Sequence, residues 1–186
     1  MYYNAFAMPC FCKKSVTILL MDFIWIVEIN CFCIVIMGII FYSLYKNYDR
    51  QTKQRYLMKA ILTGVFSFLC EIIWALIDGK ILPVPRFINF CINGLYDICS
   101  VLLAYYWLCY VEYALDSTFH KSKALKLVAK IPVILTVLGV IASYFNGFFF
   151  YINEENMYTR GNFVVLHVIL CHLYTVITTI HAEKKS

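Results

Sequence analysis

Five long apolar stretches, built from Ile, Leu, Val, Phe, Tyr and Cys and parted by short polar segments, run over 23–45, 56–77, 87–112, 127–151 and 162–180. Each is close to the roughly 20 apolar residues a helix needs to cross a bilayer. The pattern therefore predicts an all-α membrane protein, a bundle of about five transmembrane helices. Gly79, Pro83 and Pro85 form a turn between the second and third spans that cannot continue a helix. Pro132 falls near the start of the fourth span, where a missing amide hydrogen costs little. Residues 21–182 are read as the membrane domain and 183–186 as a cytoplasmic stub. Residues 1–20 are too short to span and carry their charges after the apolar stretch, unlike a signal peptide. They are expected to form a loose interfacial tail or an extension that contributes nothing to function.

The polar segments orient the bundle. Eleven Lys and Arg (46, 50, 53, 55, 59, 121, 123, 126, 130, 184, 185) fall on one side of the spans and three (80, 86, 160) on the other, with Lys13 and Lys14 in the tail. The positive-inside bias puts the amino terminus out and the carboxyl terminus in. Composition agrees: 62% hydrophobic and 15% charged residues leave too little polar surface to cover a soluble globule, which excludes a soluble enzyme. The net charge of +5 sits in loops between spans, so it sets orientation and does not point to nucleic acid. The partner it implies is the lipid bilayer.

Polar groups inside the spans carry the functional information. Glu28, Glu71 and Asp97 lie in otherwise apolar stretches. An acid at the centre of a membrane helix costs roughly 2.5 to 3.5 kcal/mol, so the three should face one another or a cavity. Glu28 and Glu71 lie at similar depth, and Asn93 and His167 nearly reach that level. Asn89, Asn93 and Asp97 repeat every four residues, with Ser100 three further on, forming one polar stripe. Glu71, Trp74 and Asp78 share a face of the second span, and His172 lies at a depth where it could meet Asp97. For any single residue an interhelical hydrogen bond, worth about 0.6 kcal/mol, is the simpler reading. For the group, a pocket in the outer half for an unknown small ligand or a proton explains the shared depth. Arg160 either pairs with Glu154 and Glu155 in its own loop or reaches over the bundle mouth toward Glu71 or Asp78.

Nine cysteines include the pairs Cys10/Cys12 and Cys31/Cys33. Neighbours two apart on a helix point about 200° away from each other, so these are not zinc knuckles. Most of the nine read as small apolar residues. There is no phosphate loop, nucleophile elbow or paired-histidine motif, and no cofactor or metal is expected. Most of the aromatic residues, such as Tyr105, Tyr106, Trp107, Tyr110 and Tyr113, read as packing and interfacial anchors.

Three strings, WALIDGK closing the second span, YYWLCYVEYAL ending the third and FFFYINEENMYTRG joining the last two, resemble the amino-terminal membrane input region of bacterial GGDEF-type diguanylate cyclases. The resemblance covers residues 21 to 180; similar regions also precede histidine kinases. It implies a sensory and anchoring module in a bacterial cytoplasmic membrane, or a shortened relative that lost its head; the family's heads condense two GTP molecules into cyclic di-GMP as a homodimer, which makes a second copy the candidate protein partner. No GGDEF-like or kinase string occurs here, so no catalysis is expected. The alternative is a small transporter, channel or accessory protein using the carboxylates as an ion path, for which inverted repeats or broken spans would be the signature.

Overall fold

The computed structural model describes residues 10–47, 51–117, 119 and 122–183. Its order is α1 (Cys10–Lys46), α2 (Thr52–Asp78), α3 (Arg86–Ala114), α4 (Lys123–Val128), α5 (Ile131–Asn146), β1 (Phe150–Ile152), β2 (Tyr158–Arg160) and α6 (Val164–Glu183). Among the described residues, five helical segments are long and apolar enough to cross a membrane, with α4 and α5 together making the fourth. This is an all-α multi-pass architecture with one small hairpin. Residues 1–9 of the amino-terminal tail and 184–186 of the stub lie outside the described residues. Residues 10–20, expected as a loose tail or an extension without function, are not loose: they form the first turns of α1. No Gly or Pro interrupts the chain between Cys10 and Met37, so nothing stops the helix there.

α3 is the central element: α2, α5 and α6 all pack on it, while α1 packs on α2. Small residues permit these approaches. Met37 of α1 lies over Gly64 of α2, and Val140 of α5 lies over Gly94 of α3. The face α1 turns to α2 carries Asn30, Cys33, Ile34, Met37, Phe41 and Leu44, a stripe at helical spacing.

The fourth span differs from the single helix expected over 127–151. It breaks at Ala129–Lys130, because Pro132 has no N–H to offer Val128, and α5 restarts with that proline in its first turn. The Ala129 carbonyl freed by the break accepts the hydroxyl of Tyr174 from α6. The helix also ends earlier, at Asn146, where Gly147 takes the left-handed conformation at φ 66°. The chain then forms the β1–β2 hairpin, with Phe150 opposite Arg160 and Ile152 opposite Tyr158.

The hairpin is seated by specific contacts. Phe149 is buried on the space left by Gly139, and its N–H donates to Ser143 Oγ at 2.8 Å. Phe150, fully buried, stacks between Phe90 of α3 and Tyr158. At the tip, Asn153 Oδ1 accepts the Glu155 and Met157 amides, shaping the turn. Asn156 then donates to Val84 O at 2.7 Å, and its own carbonyl accepts Asn89 Nδ2 at 2.7 Å. The hairpin is thus fixed across the ends of α2, α3, α5 and α6.

Candidate functional site

Beneath the hairpin, α2, α3 and α6 border a cavity of about 550 Å³. α2 contributes Glu71 and Trp74; α3 contributes Asn93, Tyr96, Asp97 and Ser100. Tyr158 and Arg160 come from β2, and His167, Cys171 and His172 from α6. The volume is that of a small-molecule site.

Its polar centre is Asp97 and His167, both buried, with Asp97 Oδ1 and His167 Nε2 3.5 Å apart. Cys171 Sγ lies 3.7 Å from the same ring nitrogen, one turn along α6. Phe149 packs against the His167 ring with centroids 5.7 Å apart, so the hairpin sets the position of the histidine. His167 Nδ1 is buried with no hydrogen-bond partner.

Asn93 reaches back to Asn89 Oδ1 at 2.8 Å, and Asn89 in turn holds the hairpin tip. The upper half of the α3 stripe therefore fastens the hairpin, while the lower half, from Asn93 to Ser100, faces the cavity. Trp74 meets Tyr158 edge-on at 6.2 Å. The Tyr158 hydroxyl is pushed up to about 12, first by burial, then by the charge of Asp97, with Arg160 opposing. The phenol keeps its proton at neutral pH.

Of the polar residues singled out in the sequence, Glu71, Trp74, Asn93, Asp97, Ser100, Arg160, His167 and His172 line this one cavity. Glu28 does not. It is exposed on α1, about 200° around the helix from the buried Asn30, and the expectation that it turns inward fails for that reason. Depth was legible from the spans, but the direction a residue faces depends on which stripe packs, and α1 packs through Asn30 and Met37. Asp78 lies behind the cavity against Trp74 and the Tyr158 backbone, yet neither Asp78 Oδ1 nor Trp74 Nε1 closes a hydrogen bond. Asn89 is structural. Asp97 takes His167 as partner, whereas His172 is exposed and its Nδ1 donates to Val168 O at 2.8 Å. Arg160 is exposed on β2 and makes no ion pair with Glu154 or Glu155.

Besides the valines of α6, three lining residues are not evident from the sequence: Tyr96, Tyr158 and Cys171. Tyr96 was hidden beside Asp97, although its spacing of three from Asn93 and four from Ser100 puts it on the same face. Tyr158 enters through the hairpin, which hydropathy does not reveal. Cys171 is placed by its one-turn spacing from His167. A second polar cluster lies at the opposite end of the bundle, where fully buried Glu112 of α3 meets His181 of α6 and Ser117.

Between these two ends Val101, Tyr105, Leu108, Cys109 and Tyr174 pack into a buried cluster. The cavity is therefore closed below Ser100. Cys31, Cys33, Cys70, Cys91, Cys99, Cys109 and Cys171 are free, and no group of three His, Cys, Asp or Glu among the described residues is arranged to hold a metal ion. In comparisons with known proteins, the chain matches no family model, no curated protein and no solved structure.

Proposed function

We propose that this protein is a membrane sensory and anchoring module that binds a small ligand in the outer half of the bundle and passes the event along α6. The amino terminus lies outside and the carboxyl terminus inside, as the Lys and Arg distribution favours. The observation that carries the reading is the position of α6. The same helix lines the cavity through His167, Cys171 and His172 and pairs through His181 with buried Glu112 at the other end.

A ligand that changes the spacing of Asp97 and His167 moves α6 relative to α3, and the Glu112–His181 contact reads that movement. Such a shift requires unequal affinity for the two helix arrangements. The packed cluster from Val101 to Tyr174 supports a binding site over an ion path, since a path would have to cross it. Signal transduction of the cyclic di-GMP kind, in a bacterial cytoplasmic membrane and as a homodimer, is the setting in which the resemblance places such a module. The chain itself is read as non-catalytic.

Fusing residues 21–182 to a cyclase head tests the proposal. Asp97→Asn and Arg160→Ala should each alter cyclic di-GMP output while membrane insertion, followed by fractionation, stays at the parent's level. Output that no cavity substitution alters, in proteins that insert normally, sinks the sensory reading.

A further inference from the structure

The cavity is neither a sealed chamber nor a simple well opening on the hairpin side. α2 and α6 both pack on α3, but they share no extensive face with each other, and the cavity lies between them. Its α6 wall includes Val164, Val165 and Val168, of which Val165 is 63% and Val168 47% exposed. In a bilayer these valines meet acyl chains. The site thus has an acidic and aromatic interior that continues sideways into an apolar margin.

The interior has a definite chemical bias. Glu71 and Asp97 set two carboxylates against the single guanidinium of Arg160, so the lining has one formal negative charge in excess. Trp74, Tyr96 and Tyr158 supply three aromatic side chains, with Trp74 and Tyr158 edge to face. Tyr96 and Tyr158 line the same cavity as Glu71 and Asp97. Carboxylates and electron-rich ring faces around one space are what an ammonium group seeks. An anionic head would meet one exposed Arg and two repelling carboxylates. A bare metal ion lacks the three-ligand grouping noted above.

Resting on the reading of the cavity as a ligand site, we propose that it binds an ammonium group carried on an apolar chain. The head lies among Glu71, Asp97, Trp74, Tyr96 and Tyr158, and the chain runs out past Val165 and Val168 between α2 and α6. Arg160 at the rim gives a place for a phosphate when the ammonium belongs to a phospholipid headgroup. A simple alkylamine and an ethanolamine phospholipid share the chemistry and differ only in that contact.

The test uses the full chain in dodecyl maltoside micelles, whose sugar heads carry no charge. Replacing exposed Trp25 and Trp107 by Phe leaves Trp74 as the only tryptophan and therefore as the reporter. Dodecylamine, laurate and lyso-phosphatidylethanolamine are titrated in turn. The proposal expects a saturable change in Trp74 fluorescence with dodecylamine, none with laurate, and binding at least tenfold weaker in Glu71→Gln and Asp97→Asn. A thermal unfolding curve for each variant separates lost binding from lost fold, and half-buried Glu71 serves if Asp97→Asn does not fold. Response to lyso-phosphatidylethanolamine alone, weakened by both carboxylate variants and by Arg160→Ala, supports the proposal with a phospholipid as the source. Response to laurate in preference to both amines overturns the ammonium class and leaves the cavity a ligand site. Response to none of the three overturns both readings.

Discussion

Glu112 and His181 meet side chain to side chain across α3 and α6, and the second carboxylate oxygen of Glu112 is taken by Ser117. Glu112 is fully buried, whereas about half of the His181 side chain is exposed. A buried carboxylate stripped of its partner is destabilising by about 3 to 5 kcal/mol when both groups are desolvated. With His181 half in solvent, His181→Ala should destabilise by about 1 to 3 kcal/mol, the range for an orphaned buried acceptor. Glu112→Gln, which can still bond Ser117, should lose less. Denaturant titration of the purified protein in micelles measures both, and a His181→Ala curve lying on the parent's would remove the contact from the coupling scheme.

Gly139 and Phe149 form a seat that leaves no room for a Cβ. The added atom would strike the Phe149 ring, which is too buried to swing aside. Gly139→Ala should therefore destabilise by about 1 to 3 kcal/mol, the usual consequence of overpacking. Because Phe149 also touches His167, cavity binding should weaken along with stability. Pairing Gly139→Ala with Phe149→Leu should recover part of the loss, a coupling that a double-mutant cycle detects.

Glu28 faces away from α2, so Glu28→Leu should leave the fold intact and ease membrane insertion by up to about 3 kcal/mol. Asp97→Leu, which removes the partner of buried His167, should destabilise instead. Equal losses in the two variants would mean that Glu28 has a partner the single chain does not reveal.

Tyr158 gives a pH signature. Its hydroxyl is raised to about 12, above the ordinary value of about 10. Its share of stability is therefore present below pH 10 and lost as pH climbs through about 12. Between those values the parent should lose more stability than Tyr158→Phe, which has no proton to release. Parallel alkaline unfolding curves for the two would place the phenol in solvent.

Orientation is open to labelling. Cysteines placed at Lys53 and at Glu155, in a background without reactive native thiols, should react from opposite sides of the membrane, with Glu155 accessible from outside. Labelling of Lys53 by an impermeant reagent in intact cells would invert the topology.

The sequence announces its helices because a bilayer-length run of apolar residues has few other uses. It announces the α3 stripe because Asn89, Asn93 and Asp97 repeat at helical spacing. It is silent where the outcome depends on which faces meet. Glu28 and Glu71 look alike in depth and hydropathy, and only the packing of Asn30 and Met37 on α2 sends one outward while the other lines the cavity. The hairpin was equally hidden. FFFYI reads as the end of an apolar span, and its conversion to a strand rests on the left-handed Gly147 and on Phe149 finding the gap at Gly139. With the hairpin went Tyr158, whose place in the site is not encoded in any local pattern.

Asn156 pins the hairpin tip to Val84 and Asn89, while the base of the hairpin is held by Gly161 N–H on the Phe149 carbonyl at 2.7 Å. A cover bolted at both ends makes the aqueous face a poor route in, and the gap between α2 and α6 becomes the way through. Whatever arrives by that route has first dissolved in the membrane. Its effective dose is then a mole fraction of the lipid, set by partitioning. Two compounds with identical heads and unequal tails will differ in apparent potency by their oil–water preference before either touches a side chain.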